Sequence, residues 1–289
     1  MQLHTIETGF FKLDGGAMFG VVPKTIWQNL NPADANNMCT WAMRCLLIET
    51  GNRLVLVDNG IGNKQSEKFF SHYYLHGEAS LQSSLQHLGI HFQDITDALL
   101  THLHFDHCGG GVVRTSEGRL IPTFPQAVYW TNQAHWQWAT QPNAREKASF
   151  LPENLLPMQE SGQLQMVQLP PLSSTTPLLI PFAEGIELLF VDGHTEKQML
   201  PLVSFKGRKI LFCGDLLPSS AHIPLPYVMA YDVRPLLTLQ EKEWVLNRAL
   251  AEDWVLFFEH DPVHECCTLQ QTEKGIRPKE FFRLRELSA

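Results

Sequence analysis

The sequence predicts an α/β fold in which β-sheets pack face to face with helices on the outside, and three observations carry that prediction. Short apolar runs of strand length recur along the chain, bounded by Gly, Asn and Pro turns. Segments with apolar residues at helical spacing fall between them. The alternation of hairpins and helices is repeated in two halves, as expected when a sheet buries one face on a second sheet and lays helices on the other. No repeat at a fixed period accompanies it.

In order along the chain, Phe10–Asp14, Met43–Ile48 and Leu54–Asp58 read as strands, the last two joined as a hairpin by Gly51-Asn52. Leu81, Leu85 and Leu88 mark one face of a helix over Ala79–Leu88, with Gly89 as its C-terminal stop. Ala98–Leu100 is a short buried strand that delivers Thr101-His102 into a loop, and Ala127–Trp130 is another strand. Asn132–Ser149 has helical character interrupted at Gln141-Pro142. Pro170–Pro177 is a surface loop between strands, not an interdomain linker. Strands at Ile186–Val191, Leu200–Phe205 and Lys209–Cys213 come next, then a helix over Leu239–Glu252 and a strand at Trp254–Phe258.

A length of 289 residues, 44% hydrophobic and 18% charged, is compatible with one large sheet-based domain spanning 1–289. The net charge of −8 and the lack of any long Lys/Arg cluster argue against a nucleic-acid partner. Neither a basic n-region with an apolar core at the N-terminus nor eighteen consecutive apolar residues occurs, so a cytoplasmic protein with no membrane partner is expected. The six cysteines form no Cys-x-x-Cys pair and read as reduced thiols, Cys108 and Cys213 as small buried fillers.

The chemistry concentrates in Thr101-His102-Leu103-His104-Phe105-Asp106-His107-Cys108-Gly109-Gly110, with three imidazoles and a carboxylate in six positions. Imidazole and carboxylate suit zinc and related first-row ions. The following glycines, 109 to 111, permit the close backbone approach that a tight ligand-bearing turn needs. Four ligands cannot complete two metal shells, so others are needed at further strand ends. His194 follows the strand from Ile186, Asp215 the strand from Lys209, and His260 the strand from Trp254. Asp58, closing a predicted strand, is the candidate partner for a ligand imidazole.

This order of residues, His-x-His-x-Asp-His, a later Gly-His, then Asp, then His, resembles the metallo-β-lactamase superfamily. The resemblance runs from about Met43 to His260 and implies a four-layer αββα sandwich with metals at one edge of the paired sheets. It further implies that His102, His104 and His194 hold one metal, that Asp106, His107 and His260 hold the other, and that Asp215 bridges them. The spacing is most similar to the lactonase and methyl-parathion-hydrolase-like branches. Acyl-homoserine lactonases carry a tyrosine three residues beyond the bridging aspartate, where this chain has Pro218; Tyr227 and Tyr231 stand further along, and neither is assigned a catalytic role.

The resemblance leads to the expectation of a dinuclear hydrolase with two divalent ions, zinc first and manganese, iron or cobalt as alternatives. Such ions lower the pKa of a shared water from about 15.7 toward roughly 7, so that hydroxide attacks a lactone or carboxylic ester at neutral pH. Asp106 and Asp215 are the expected catalytic carboxylates. A phosphotriester or phosphodiester is the alternative substrate, and a mono-iron persulfide dioxygenase the alternative class, which uses only part of this ligand set. Met18, Phe19, Val21 and Trp27 form an apolar stretch that reads either as core or as a wall of the pocket, the latter favouring a small apolar substrate. A homodimer is compatible with the sequence.

Overall fold

The computed structural model describes residues 1–170 and 177–288, so most of the predicted loop at 170–177 lies outside the described residues. The chain divides into two compact units, the first made of Met1–Gly9, Met43–His72 and His76–Leu172, the second of Phe10–Ala42, Tyr73–Leu75 and Ser173–Ala289.

Strands β1 (Gln2–Asp14), β2 (Met38–Thr50), β3 (Arg53–Val57), β4 (Asp97–Leu99), β5 (Val112–Arg114), β6 (Leu120–Pro122), β7 (Val128–Asn132) and β8 (Leu164–Val167) come first. Six of them form a sheet in the order β1-β2-β3-β4-β7-β8. The β2–β3 hairpin closes at Thr50 and Arg53, with Gly51 in the left-handed region that such a turn requires. From β3 onward the pairing is parallel, Val57 facing Leu99 and Leu99 facing Trp130. The carboxyl ends of β3 and β4 therefore share one edge of the sheet, so Asp58 and Thr101-His102 emerge side by side. The core of this unit gathers Leu47, Leu56, Leu85, Ala98, Leu100 and Tyr129, all fully buried.

The second unit holds β9 (Leu178–Ala183), β10 (Ile186–Val191), β11 (Gln198–Phe205), β12 (Arg208–Phe212), β13 (Val255–Phe257), β14 (Cys266–Thr272) and β15 (Gly275–Phe282), ordered β15-β14-β13-β12-β11-β10-β9. Strands β10 and β12 are both antiparallel to β11, and β12 is parallel to β13. These three strands consequently point the same way, and their carboxyl ends, which lead into His194, Asp215 and His260, meet at one edge. The parallel crossover is made by the helix Pro235–Ala251, whose Val245, Leu246 and Ala249 pack into a core with Leu211 and Leu256.

Most predicted elements are present with shifted ends. The first strand starts at Gln2, well before Phe10. The helix expected over Ala79–Leu88 is Leu81–His87, started by a Ser80–Ser83 capping box. Helical structure after Asn132 covers only Gln133–Thr140, capped by the Asn132 side chain on the His135 amide. Elements that carry no clear signal in the sequence include the helix Pro152–Glu160, which has Pro157 inside it, and the strands β14 and β15. All six cysteines are buried free thiols, and burial pushes Cys108 up to about 12. No described helix is long and apolar enough to cross a membrane.

Candidate metal ligands

In the first unit, the segment after β4 folds back as a single helical turn, Phe105–Cys108, followed by the 3-10 turn Gly109–Gly111. The glycines are a steric necessity: a Cβ on Gly109 would lie 2.2 Å from the Ile61 carbonyl oxygen, and one on Gly110 2.0 Å from that of Asn59. Asn59 N–H donates to the His107 carbonyl at 2.7 Å, and the buried Lys64 ammonium donates to the Gly109 carbonyl. The turn is thereby pressed onto residues 59–61 and aims four buried side chains, His102, His104, Asp106 and His107, at a common edge.

The orientation of His102 and His107 follows from one carboxylate. Asp58, in the left-handed region at φ 56°, accepts the Thr101 amide and hydroxyl at 2.7 Å each and His107 Nδ1 at 3.0 Å. With the Thr101 proton committed to Asp58, His102 Nδ1–H donates to Thr101 Oγ1 at 3.0 Å. Both rings therefore turn their Nε2 lone pairs away from the scaffold. His102 Nε2 stands 3.0 Å from His104 Nδ1, and His107 Nε2 is 3.7 Å from Asp106 Oδ2. The other side of His104 faces the buried Glu146, Nε2 to Oε1 at 3.5 Å.

In the second unit, one carboxylate meets two imidazoles. Asp215 Oδ2 is 3.1 Å from His194 Nε2, and its Oδ1 is 3.0 Å from His260 Nε2. The far nitrogens are taken: His194 Nδ1 bonds Asp232 at 2.8 Å and His260 Nδ1 bonds the Ala42 carbonyl at 2.7 Å. Burial opposes a charged His194, yet Asp215 and Asp232 outweigh it and lift the imidazole to about 10. A cation is thus favoured electrostatically where the two Nε2 atoms and the carboxylate converge. Imidazoles held from behind, with nitrogen and carboxylate oxygen donors turned to one point, are a donor set that fits a divalent ion.

Each unit accordingly brings its own predicted ligands together. The sequence pointed to Asp58 but not to Asp232 or Glu146, neither of which stands in a motif. Of the apolar stretch, Met18, Phe19 and Trp27 are buried, whereas Val21 is 90% exposed. Phe19 is stacked between Trp27 (5.3 Å) and His222 (4.8 Å), so these rings are core packing of the second unit.

The family model of the metallo-beta-lactamase superfamily matches residues 44–260, and the chain belongs to that superfamily. It is similar to a probable metallo-hydrolase of Mycobacterium tuberculosis, 26% identical over 284 residues that cover 85% of each chain. It is also similar to a crystal structure of a probable metal-dependent hydrolase from Staphylococcus aureus, at 26% identity and a TM-score of 0.86, over 97% of this chain and 96% of that one. The fold alone is shared with AidC, a dizinc quorum-quenching lactonase solved with a product, at 19% identity and a TM-score of 0.76, over 97% of this chain and 95% of that one. The expected α/β class of metallo-β-lactamase type is borne out, and the protein is a metal-dependent hydrolase.

Proposed function

We propose that the chain acts as a single hydrolase domain, residues 1–289, that opens a lactone or carboxylic ester of a small substrate. His102, His104, Asp106, His107, His194, Asp215 and His260 are its proposed ligands for two divalent ions, zinc the first candidate. The observation that carries this reading is Asp215: each of its oxygens sits about 3 Å from a different imidazole Nε2, while both rings are fixed through Nδ1. Membership of the superfamily, over a match that spans all seven residues, supports it.

Bound divalent ions supply Lewis acidity toward the carbonyl and a water activated at neutral pH. The chain's own part is orientation and proton handling. Asp58 and Asp232 fix which imidazole nitrogen faces outward, so no ring has to reorganise during turnover. Asp106, beside His107 Nε2, is the carboxylate we assign to carrying a proton toward the departing alkoxide. The lactone preference draws on the likeness in fold to AidC, whose structure holds N-hexanoyl-L-homoserine as a product.

The test is elemental analysis of protein purified without added metal or chelator, paired with a panel of lactones, carboxylic esters and phosphotriesters. About two ions per chain, with lactone or ester hydrolysis lost on chelation and restored by divalent ions, is the expected result. Turnover confined to phosphotriesters would overturn the substrate class, and a single iron without hydrolysis would overturn the dinuclear reading.

A further inference from the structure

We propose that Glu241 is a positioning residue for His194, acting through the backbone of Asp192 and Gly193 and not through the imidazole itself. The inference rests on the reading of His194 as a metal ligand. Glu241 lies in the second turn of the helix Pro235–Ala251 and is 4% exposed. Its Oε1 accepts the Asp192 amide at 2.7 Å and its Oε2 accepts the Gly193 amide at 2.9 Å. Two consecutive N–H groups immediately before the ligand are thus gripped by one carboxylate.

The same helix start holds the rest of the segment. Arg234 donates its guanidinium to the Asp192 carbonyl at 2.7 Å and its amide to the Gly193 carbonyl at 2.9 Å, and Val233 N–H reaches the His194 carbonyl at 3.2 Å. A Cβ on Gly193 would lie 2.3 Å from Thr238 Oγ1 and 2.5 Å from Thr238 N, so the peptide lies directly on the helix. Lys197 and Glu196 close the loop from its other side, on Asp192 and Arg234 respectively. Within this clamp the Arg234 groups hold carbonyls, whereas the Glu241 carboxylate takes the two amides at once.

Burial makes that carboxylate costly, pushing Glu241 up to about 7 against the two amides that favour its ionised form; Asp192 adds to the rise and Lys197 opposes it. The geometry uses both of its oxygens as acceptors, one for each of two consecutive amides. Glutamine has the same shape but only one acceptor oxygen, and its amide N–H groups would confront the second backbone N–H. The loop would then tilt, carrying His194 Nε2 off the point it shares with Asp215, whereas the fold's apolar core would be untouched.

The test uses the metal-loaded protein and three variants: Glu241→Gln, Glu241→Asp, and Glu243→Gln on the exposed face of the same helix as control. Affinity for zinc is read by competition with a chromophoric chelator, ligand geometry by the visible absorption of the cobalt-substituted protein, and folding by thermal unfolding of the metal-free form. For Glu241→Gln we expect about a 10- to 100-fold loss of affinity for one of the two ions, the size typical of removing a ligand's supporting partner. The cobalt bands should shift while the metal-free form still unfolds cooperatively. Glu241→Asp, which keeps both carboxyl oxygens but withdraws them by one methylene, should show a smaller change of the same kind and serves if the glutamine variant does not fold. Wild-type affinity and cobalt bands in both Glu241 variants would overturn the inference. That result is distinct from failure of the underlying reading, in which His194→Ala would leave uptake of both ions unchanged.

Discussion

His194 and Asp232, 38 residues apart in sequence, are joined Nδ1 to Oδ1 at 2.8 Å in a site where both are buried. The bond commits Nδ1 as the donor and leaves Nε2 facing Asp215, where the proposed metal would bind. A buried carboxylate at this position also favours positive charge on the ring side that faces the ligand. Asp232→Ala should therefore weaken binding of one ion by about 10- to 100-fold. Chelator competition measures this, and an unchanged affinity would show that the ring is held by packing alone.

Asp215 is shared between two imidazoles, so in the proposed site its removal should affect both metals where loss of a terminal ligand affects one. Asp215→Ala should lower metal content below two ions per chain and reduce turnover by orders of magnitude. Elemental analysis and kinetics on the same preparation check it. Full activity with both ions retained would sink the bridging role.

Gly193 abuts the first turn of the long helix with no room for a side chain. Gly193→Ala must push the loop or the helix aside, at a cost of about 1–3 kcal/mol in stability. Denaturant unfolding of the metal-free protein measures the cost, and the metal affinity of the variant should fall alongside it because the next residue is His194.

His222 is buried, stacked on Phe19, with Nε2–H donating to the Met18 carbonyl at 2.9 Å and Nδ1 accepting the Ser219 hydroxyl at 2.8 Å. Burial, foremost, lowers its pKa to about 3. The folded state thus disfavours the proton that the unfolded chain binds at about 6.5. Its stabilising contribution is complete above pH 6.5 and is lost as pH falls from there toward 3, at about 1.4 kcal/mol per pH unit. His222→Phe keeps the stack but removes the titration. It should be less stable than wild type at pH 7, yet lose less stability between pH 6.5 and 5, as read from denaturant midpoints. Parallel slopes for the two proteins would contradict this.

The proposed ligands were legible in the sequence because each signals itself locally. His102 to His107 form a dense run, and His194, Asp215 and His260 each stand just past an apolar strand, so residue type and strand position together pointed to them. Asp58 was legible for the same reason. The strands β14 and β15 were not, because Gln270 and Gln271 in the one and Lys279 and Glu280 in the other leave them without the regular apolar alternation that marks a half-buried strand. The helix Pro152–Glu160 was hidden by its internal Pro157.

The sequence by itself determined the donor chemistry and the class of fold, since both depend on residue type and on periodicities of a few residues. Only the tertiary structure decided which nitrogen each imidazole presents, because that depends on Asp58, Asp232 and Ala42, which approach the rings from strands and loops far away along the chain. It likewise decided that Glu241 grips the backbone before His194 and that Phe19 and Trp27 are packing. A hydrogen bond's partner is set by three-dimensional direction within about an ångström, and no local pattern in the chain encodes it.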